Sequence, residues 1–378
     1  MPLFHTDDQA MLLDTARPFM AEHAPVAHMR GLRDANDRTG FDPALWSRFA
    51  EMGFTGILID EADGGLGLGH VEAGIVLEEI GRNLSPSPFL STAVGAVTAL
   101  KDGSAEQRAR WLPGIVAGTA VATLAIDEGA RHRPSRITLT AERSGNGFRL
   151  SGAKSFVPHG HVADLLIVAA RTAGATDEED GITLFAVEKG VAGLTAAPDR
   201  LADASLAARL RLEGVQLDAD AVIGEVDGGW AGLSRTLDAV RTGASSELLG
   251  VGMGAMERTV GYLKERKQFG VAIGSFQALQ HRAAHLYSEL EVARAAVLKA
   301  QQLLDAGDPG AERAVMVAKA MAGLATTLAV QEGVQMHGGI GMTDEYDIGF
   351  FMKRGRVLAE LFGDSDFHAD RLARLSGY

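Results

Sequence analysis

The chain has 378 residues, of which 46% are hydrophobic, and its formal net charge is −13 at pH 7. This length and apolar content can support more than one hydrophobic core, so two or three domains are expected. The absence of cysteine excludes disulfides, thiolate metal sites and a thiol nucleophile, and we predict no bound metal. The acidic excess disfavours a nucleic-acid partner and an anionic membrane surface.

No targeting or membrane segment is expected. The first eight residues lack the basic region and the apolar core of a signal peptide. No run of about 18 apolar residues follows that could span a bilayer. The sequence therefore predicts a cytoplasmic protein without membrane insertion.

Residues 1–120 are predicted to form an N-terminal α-helical domain. Thr6 precedes a periodic apolar pattern that begins at Met11, which is typical of a capped helix. A second amphipathic pattern runs from Val71 to Leu84. The glycine-rich stretch from Gly64 to Gly69 does not follow a strand in a βαβ unit, so we predict a structural turn there rather than a dinucleotide-binding loop.

Residues 121–225 have the shorter period of β-structure. Short β-like runs are separated by glycine-containing turns, and they begin at Ile137, Phe148, Asp164, Ile182 and Leu210. This pattern predicts a central β domain of about 100 residues, a barrel or a sandwich.

Residues 226–378 return to the helical period and predict a C-terminal four-helix bundle. The four predicted helices are Trp230 to Lys267, Phe276 to Leu304, Gly310 to Met336 and Asp344 to Leu375. With the two preceding regions, this gives an α+β fold made of a helical domain, a β domain and a helical bundle.

Three motifs in this last region stand in a fixed order on the predicted helices. They are Arg266-Lys-Gln-Phe269-Gly270, Phe276-Gln277-Ala-Leu-Gln280-His281 and Gln335-Met-His337-Gly338-Gly339-Ile-Gly341-Met-Thr343. They resemble motifs of the acyl-CoA dehydrogenase family. Gly64 to Gly69, with Leu77-Glu78-Glu79-Ile80, and Gln107 to Pro113 resemble N-terminal segments of the same family. The resemblance therefore covers nearly the whole chain.

The resemblance implies an FAD-dependent oxidoreductase of lipid metabolism that dehydrogenates an acyl-CoA thioester between its α and β carbons. In the family, a base removes the α-proton while the flavin accepts the β-hydride. An electron-transfer flavoprotein or a similar acceptor is the implied redox partner. The implied assembly is a homotetramer or heterotetramer, a dimer of dimers, built on the helical, β and helical layout given above.

The resemblance also implies which residues contact the flavin. Arg266, Phe269 and Gln277 would lie at its diphosphate or adenosine end, with Gln335 and the Gly338–Gly339 pair close by. A guanidinium suits a diphosphate because it binds phosphate oxygens bidentately, and glycines let the backbone approach closely. In the family, this region reaches a flavin that a neighbouring subunit mainly binds. A solvated helix-end arginine and a simple helix end remain the alternatives, and His281 is predicted to pack.

The base is the main departure from the family pattern. Phe362-Gly363-Asp364 stands where the family usually has Glu-Gly-Thr, and a phenylalanine cannot take a proton, although its backbone N–H could still polarise a carbonyl. The other position used in the family corresponds to Val240, beside Arg241.

Glu247 is the replacement base that we predict. It lies seven residues after Val240, within about 20° of the same helical face and roughly 10 Å further along the axis. Arg241 would set the polarity of the site. A structural ion pair is the alternative role for Glu247, and Glu360 and Asp364 are weaker candidates for the base.

The β domain carries a second departure. Asp127 replaces a threonine of the family's flavin loop, and Phe156 and Pro158 lie where the family has a strand beside the flavin. Because Pro158 has no backbone N–H, altered flavin contacts are expected. The basic run Arg131-His132-Arg133 could instead meet coenzyme A phosphates.

Three interpretations stay open at this point. The first is a working dehydrogenase for a bulky, branched or ring-bearing acyl-CoA, because such substrates suit a repositioned base. The second is a non-catalytic subunit that completes a flavin site in a heteromeric dehydrogenase. The third is a flavin-dependent monooxygenase on the same fold, which would not need a glutamate at position 362.

Overall fold

The computed structural model describes residues 3–378, so residues 1 and 2 of the predicted N-terminal domain lie outside the described residues. Within this range the α-helices are α1 (Asp7–His23), α2 (Val26–Asp34), α3 (Pro43–Glu51), α4 (His70–Asn83), α5 (Val97–Leu100), α6 (Ala105–Val116), α7 (Trp230–Glu265), α8 (Gln277–Asp305), α9 (Ala311–His337), α10 (Ile348–Glu360) and α11 (Ser365–Leu375). The strands are β1 (Ala122–Ala125), β2 (Thr140–Ser144), β3 (Gly147–Pro158), β4 (Leu165–Arg171), β5 (Ile182–Glu188), β6 (Leu194–Arg200), β7 (Leu206–Leu217), β8 (Val222–Ile223), β9 (Lys267–Gln268) and β10 (Val271–Ala272). The helical, β and helical order predicted from the sequence is confirmed.

Side-chain caps fix where the N-terminal helices begin. Thr6 and Gln9 form a capping box at α1, in which each side chain bonds the other residue's backbone N–H. Ser104 and Gln107 form the same arrangement at α6. These bonds satisfy amide groups that have no partner inside the helix, so the polar residues before each apolar pattern set the helix start.

The β domain is an eight-stranded sheet in the order β6-β7-β3-β2-β4-β5-β8, and β1 pairs with β4 off this path. The long β3–β7 pair is antiparallel, whereas β1 runs parallel to β4. Strand β4 is buried along its whole length, which matches its continuous apolar sequence. The register of β3 on β7 shifts between Lys154 and Val157. This β-bulge redirects the end of β3 that carries Phe156 and Pro158.

The C-terminal helices share a large hydrophobic core that includes residues of α7, α8, α9 and α10. The predicted helix Asp344 to Leu375 is wrong as a single element, since it is divided into α10 and α11. Phe362 and Gly363 have φ values of +60° and +104°. An α-helix cannot continue through left-handed residues, so the chain turns at this point.

The described residues group into two compact units that are discontinuous in sequence. Unit 1 contains the residues up to Ala35, Gly69–Pro86 and Arg241–Tyr378, and unit 2 contains Asn36–Leu68 and Ser87–Val240. Helix α4 belongs to unit 1, where Glu79 pairs with Arg17 of α1 and Glu78 pairs with Arg294 of α8. The three ranges 1–120, 121–225 and 226–378 stay a prediction.

Helix α9 is the most apolar long helix of unit 1. Contrary to the expectation from the sequence, Ala311–Met342 is long and apolar enough to cross a membrane, the one such stretch within residues 3–378, and 56% of its most apolar window is buried inside the protein. Its residues Val315, Ala322 and Ala329 belong to the core shared with α8 and α10. The apolar sequence of α9 is thus used in packing between helices.

Candidate functional site

Glu247 lies on α7 and is 3% exposed. Its Oε1 accepts hydrogen bonds from Arg354 Nε at 3.0 Å and from Arg354 Nη2 at 2.5 Å. A guanidinium this close neutralises and orients the carboxylate. The structure therefore gives Glu247 the ion-pair partner that was the alternative to a catalytic role.

Arg241 and Phe362 come together although they are 121 residues apart in the chain. Arg241 Nε donates to the Phe362 main-chain carbonyl at 3.2 Å. The guanidinium also lies 5.7 Å from the ring centroid of Phe367. Phe362 is buried, and its left-handed backbone places it in the turn between α10 and α11. A buried cation thus anchors the turn where the family usually carries its base.

Lys319 of α9 is a second buried cation at this turn, and the sequence analysis missed it. Its Nζ donates to the carbonyls of Ala359 and Gly363, each at 2.9 Å. Burial, together with the smaller effect of the Arg241 charge, lowers the pKa of Lys319 to about 7, although Asp364 and Glu360 act in the opposite direction. The sequence feature that could have identified Lys319 is that it is the single lysine within the apolar stretch Val315–Leu324.

The two weaker base candidates have structural partners. Asp364 accepts a hydrogen bond from the Phe367 backbone N–H at 2.7 Å and so caps α11. Glu360 is exposed and pairs with Arg356 at 2.8 Å, one helical turn earlier. Both carboxylates therefore stabilise local structure around the turn.

Arg266, Phe269 and Gln277 lie at an exposed corner of unit 1. Helix α7 ends just before Arg266, and the hairpin β9–β10 follows it. All three side chains are exposed, and Phe269 is 90% exposed at the tip of the hairpin. Four residues after Gln277, His281 is exposed as well, so its predicted packing role is wrong.

Gln335 and the Gly338–Gly339 pair form the exposed C-terminal end of α9. Gly338 adopts φ +66°, and a Cβ atom built on either glycine would meet no atom of residues 3–378 within 4 Å. The backbone at this turn is therefore open to a ligand or to another chain. Gly338 also ends the helix, so the two roles considered for it are compatible.

His337 supports the turn from inside. Its Nδ1 lies 2.6 Å from the Gly333 carbonyl, and because that oxygen can only accept, Nδ1 carries the proton. Its ring stacks on Tyr262 with centroids 4.5 Å apart. Burial lowers the pKa of His337, so the neutral ring is favoured.

In unit 2 the predicted flavin loop is closed by its own hydrogen bonds. The Asp127 carboxylate lies 2.8 Å from His132 Nδ1 and accepts the Arg133 backbone N–H at 3.2 Å. The Asp127 carbonyl accepts the Ser155 N–H at 2.7 Å. The oxygens of Asp127 are thus already engaged by the loop and by β3, while Arg131 and Arg133 are exposed.

A buried ion pair fixes the base of the same loop. Lys154 Nζ donates to Glu128 Oε1 at 2.8 Å and to the Ile126 carbonyl at 2.9 Å. Burial alone would raise the pKa of Glu128, but the Lys154 ammonium and several hydrogen bonds hold that pKa below its usual value. The sequence analysis gave Lys154 no role.

Phe156 and Pro158 lie at the bulged end of β3. Phe156 has φ +54° and is half exposed. Pro158 is the last residue of the strand and offers no N–H donor. This end of β3 therefore presents an aromatic face and few hydrogen-bond donors.

Comparisons with known proteins decide the family. Family models of the acyl-CoA dehydrogenase N-terminal, middle and C-terminal domains match residues 6–119, 123–215 and 227–376 of this chain, respectively. The acyl-CoA dehydrogenase FadE12 of Mycobacterium tuberculosis strain H37Rv is 33% identical over 319 residues, which cover 83% of this chain and 82% of FadE12. The chain belongs to the acyl-CoA dehydrogenase family.

Solved structures agree with this assignment. The Tcur3481-Tcur3483 steroid ACAD is 33% identical with a TM-score of 0.89, covering 98% of both chains. The ChsE4-ChsE5 complex from Mycobacterium tuberculosis is 26% identical with a TM-score of 0.90, covering 100% of this chain and 99% of the other. The predictions of the fold, of an oxidoreductase acting on acyl-CoA and of FAD as cofactor are confirmed.

The two units fit different parts of FAD unequally well. In unit 1, Arg266 and Gln277 are exposed, and the backbone of the Gly338–Gly339 turn is open, which suits a diphosphate and an adenosine. In unit 2, Asp127 is engaged within its loop and Pro158 has no donor. The residues of this acyl-CoA dehydrogenase family member thus fit the diphosphate and adenosine end better than the ring of the flavin.

Proposed function

We propose that this chain is a subunit of a mixed acyl-CoA dehydrogenase, in which it completes the flavin site of a partner of the same family. One observation carries the proposal. Glu247, the remaining candidate for a base near the family positions Val240 and Phe362, is held by Arg354. The α-proton would then be taken by a carboxylate of the partner.

The exposed residues that we predict to contact flavin support the same arrangement of two subunits around one flavin. Arg266 and Gln277 would bind the diphosphate or adenosine of a flavin whose ring lies in the partner, and the sterically open Gly338–Gly339 turn would let the backbone approach the phosphates closely. Gln335 and Phe269 would line the edge of this site, Phe269 by stacking. Bound FAD supplies the hydride acceptor of the reaction.

The substrate that we propose is a bulky, ring-bearing acyl-CoA. The support is the 33% identity to a steroid ACAD over 98% of both chains. The likeness to the ChsE4-ChsE5 complex supports an assembly of two different chains. An electron-transfer flavoprotein or similar acceptor, a cytoplasmic location and contact of Arg131 and Arg133 with coenzyme A phosphates belong to the same proposal.

A second candidate is a self-contained dehydrogenase in which Glu247 is the base. The observation that favours it is that Glu247 is a buried carboxylate on the same helix as Arg241, six residues further on. Arg354 would have to release the carboxylate when substrate binds. Arg241 would keep the Phe362 carbonyl in place, so that the Phe362 N–H and the buried charge polarise the thioester. Phe156, Pro158 and Asp127 would then lie beside the flavin ring.

Spectroscopy of the purified chain distinguishes these candidates. The chain is purified alone and after co-expression with a family member that carries the usual Glu-Gly-Thr motif. Each sample is then mixed anaerobically with a steroid-bearing acyl-CoA. We expect flavin bleaching in the mixed protein and none in the chain alone. Bleaching by the chain alone, abolished in Glu247→Gln, would establish the second candidate instead.

The flavin contact is tested with a matched pair of variants. Arg266→Ala should lower the flavin content of the mixed protein, whereas Lys267→Ala removes a neighbouring exposed cation and should leave it unchanged. Loss of the charge-assisted contact to a phosphate should raise the dissociation constant of FAD at least tenfold. Equal flavin content in the two variants would show that Arg266 does not bind the flavin.

A further inference from the structure

Two arginines of α2 hold the segment that connects the Gly338–Gly339 turn to α10. Arg33 donates from Nη1 and Nη2 to the two carboxylate oxygens of Asp344, at 2.6 and 2.8 Å. Arg30 donates from Nε to Asp347 Oδ1 at 2.9 Å and from Nη2 to the Asp344 carbonyl at 2.8 Å. We call Arg30, Arg33, Asp344 and Asp347 the arginine clamp. It fixes both ends of a four-residue segment.

The geometry of the clamp depends on planar guanidinium groups. Both arginines lie over the ring of Phe350, with Cζ 4.4 Å from the centroid for Arg30 and 4.7 Å for Arg33. Phe350 is buried in α10, so it provides a fixed platform. The arginine side chains are less than a quarter exposed. Stacking on Phe350 and at least two hydrogen bonds together restrict each guanidinium more than an exposed ion pair would.

The clamp encloses Tyr346, which touches the residue before the glycine pair. The Tyr346 ring centroid lies 4.7 Å from that of His337 and 5.8 Å from that of Tyr262. Tyr262 in turn stacks on His337, so the three rings contact one another. The clamp therefore holds the residues on either side of Tyr346 in the chain, and the Tyr346 ring contacts His337, which directly precedes Gly338.

We propose that the arginine clamp positions the flavin-binding turn, by setting through Tyr346 and His337 the backbone conformation of Gly338 and Gly339. The inference rests on the proposed function, because it takes this turn as the part that receives the flavin diphosphate or adenosine. A Cβ atom built on either glycine would meet no neighbour within 4 Å, so packing does not hold the pair, and the Gly338 N–H donates to the Gln335 carbonyl at the end of α9. Without the clamp they sample more conformations, and binding must then restrict them.

The test is a double-mutant cycle on the full-length chain, made of Arg33→Gln, Asp344→Asn and the double variant. Hydrogen exchange of the amides at 338–347 is measured without ligand. The affinity for FAD is measured by quenching of flavin fluorescence, with the chain alone and in the mixed protein. Each single variant should speed exchange in this segment and raise the FAD dissociation constant roughly tenfold. The double variant should be less impaired than the sum of the two single variants, because both single variants lose the Arg33–Asp344 pair.

Arg371→Gln is the matched control. Arg371 pairs with Glu312 at 2.6 Å, and its side chain is about as exposed as those of the clamp arginines. Glu312 lies in the first turn of α9, whereas His337 is its last residue. This variant should therefore leave exchange at 338–347 and FAD affinity at their wild-type values.

Two kinds of failure can be told apart. If wild type binds FAD and the clamp variants bind it equally well, or if exchange at 338–347 does not change, the clamp does not position the turn. If wild type binds no FAD either alone or in the mixed protein, the proposed function is wrong, and hydrogen exchange still decides whether the clamp orders the turn.

Discussion

Lys319 shows how a single buried cation can organise a turn. It lies on the core helix α9, and its buried ammonium donates hydrogen bonds to the carbonyls of Ala359 and Gly363. A neutral amine still offers two N–H donors, so deprotonation can keep both hydrogen bonds while it removes the cost of burying charge. The protonation state of Lys319 is therefore linked to the stability of the fold.

This linkage predicts a pH-dependent difference between wild type and Lys319→Met. The folded pKa of Lys319 is lowered to about 7 from an ordinary value of 10.5. Between these two values the unfolded chain binds more protons than the folded one, so the free energy of unfolding of wild type rises with pH. Relative to Lys319→Met, wild type should gain about 2 to 3 kcal/mol between pH 7 and pH 9. Urea denaturation across this range measures it, and parallel curves would show that Lys319 does not titrate there.

Glu247 gives the second prediction at this scale. Replacing it by glutamine removes the carboxylate that Arg354 binds, so the free energy of unfolding should fall by about 1 to 3 kcal/mol. The rate of flavin bleaching in the mixed protein should change less than twofold. Loss of a catalytic base would instead lower that rate by about 10² to 10⁴. Glu360→Gln, which alters an exposed pair, is the control for both measurements.

At the scale of elements, the turn between α10 and α11 depends on Gly363. The residue has φ +104°, and a Cβ atom built on it would lie 2.4 Å from Phe367 Cδ1. Arg241 and Lys319 hold the same turn through carbonyl groups. The turn is thus fixed by backbone conformation, by packing and by two buried cations.

Gly363→Ala should therefore destabilise the chain. The cost should be about 1 to 3 kcal/mol, because a left-handed backbone and a steric contact act together. Gly307→Ala is the control, since Gly307 has φ +60° but no neighbour among residues 3–378 within 4 Å of a built Cβ atom. The free energies of unfolding of both variants, measured by chemical denaturation, separate the cost of the left-handed backbone from the cost of the contact with Phe367. An equal cost at the two positions would mean that the contact with Phe367 relaxes without penalty.

The elements themselves were largely predictable. Long apolar periodicities gave α7, α8 and α9 to within a few residues, and the capping residue Thr6 gave the start of α1. The break near Phe362 was not predicted, because the apolar period continues across it and φ is not visible in a residue's identity. Strand β6 was missed for a related reason, since it is largely exposed and lacks alternation.

The candidate site was predictable only where a motif carries it. The Arg266 and Gln335–Gly339 motifs identified exposed positions by resemblance, and their flavin contacts stay a prediction. Partners distant in sequence, such as Arg354 for Glu247 and the Phe362 carbonyl for Arg241, follow from tertiary packing. A pattern of single residues contains no information about such pairs, so the ion pair of Glu247 could not be inferred from it.

At the scale of the whole molecule, unit 1 exposes many large apolar side chains. Tyr287 and Val292 lie on α8, Leu324 lies on α9 and is 63% exposed, and Met342 and Phe269 belong to the predicted flavin motifs. We expect another chain to cover these residues where they form a continuous patch. This agrees with a subunit interface at Arg266, Phe269, Gln277 and Gln335–Gly339, which stays a prediction.

Leu324→Asp tests this surface. A charge placed in an apolar interface loses its hydration when the interface forms, so the variant should weaken assembly by at least tenfold. Light scattering of the purified chain at micromolar concentration should show an oligomer for wild type and a smaller species for Leu324→Asp. Met11→Asp alters a residue of α1 that is 61% exposed and should leave the mass unchanged. A wild-type monomer at this concentration would contradict the interface for the chain alone. If co-expression with the partner also gave no complex, the proposal that residues of unit 1 complete the flavin site of a neighbouring subunit would be wrong.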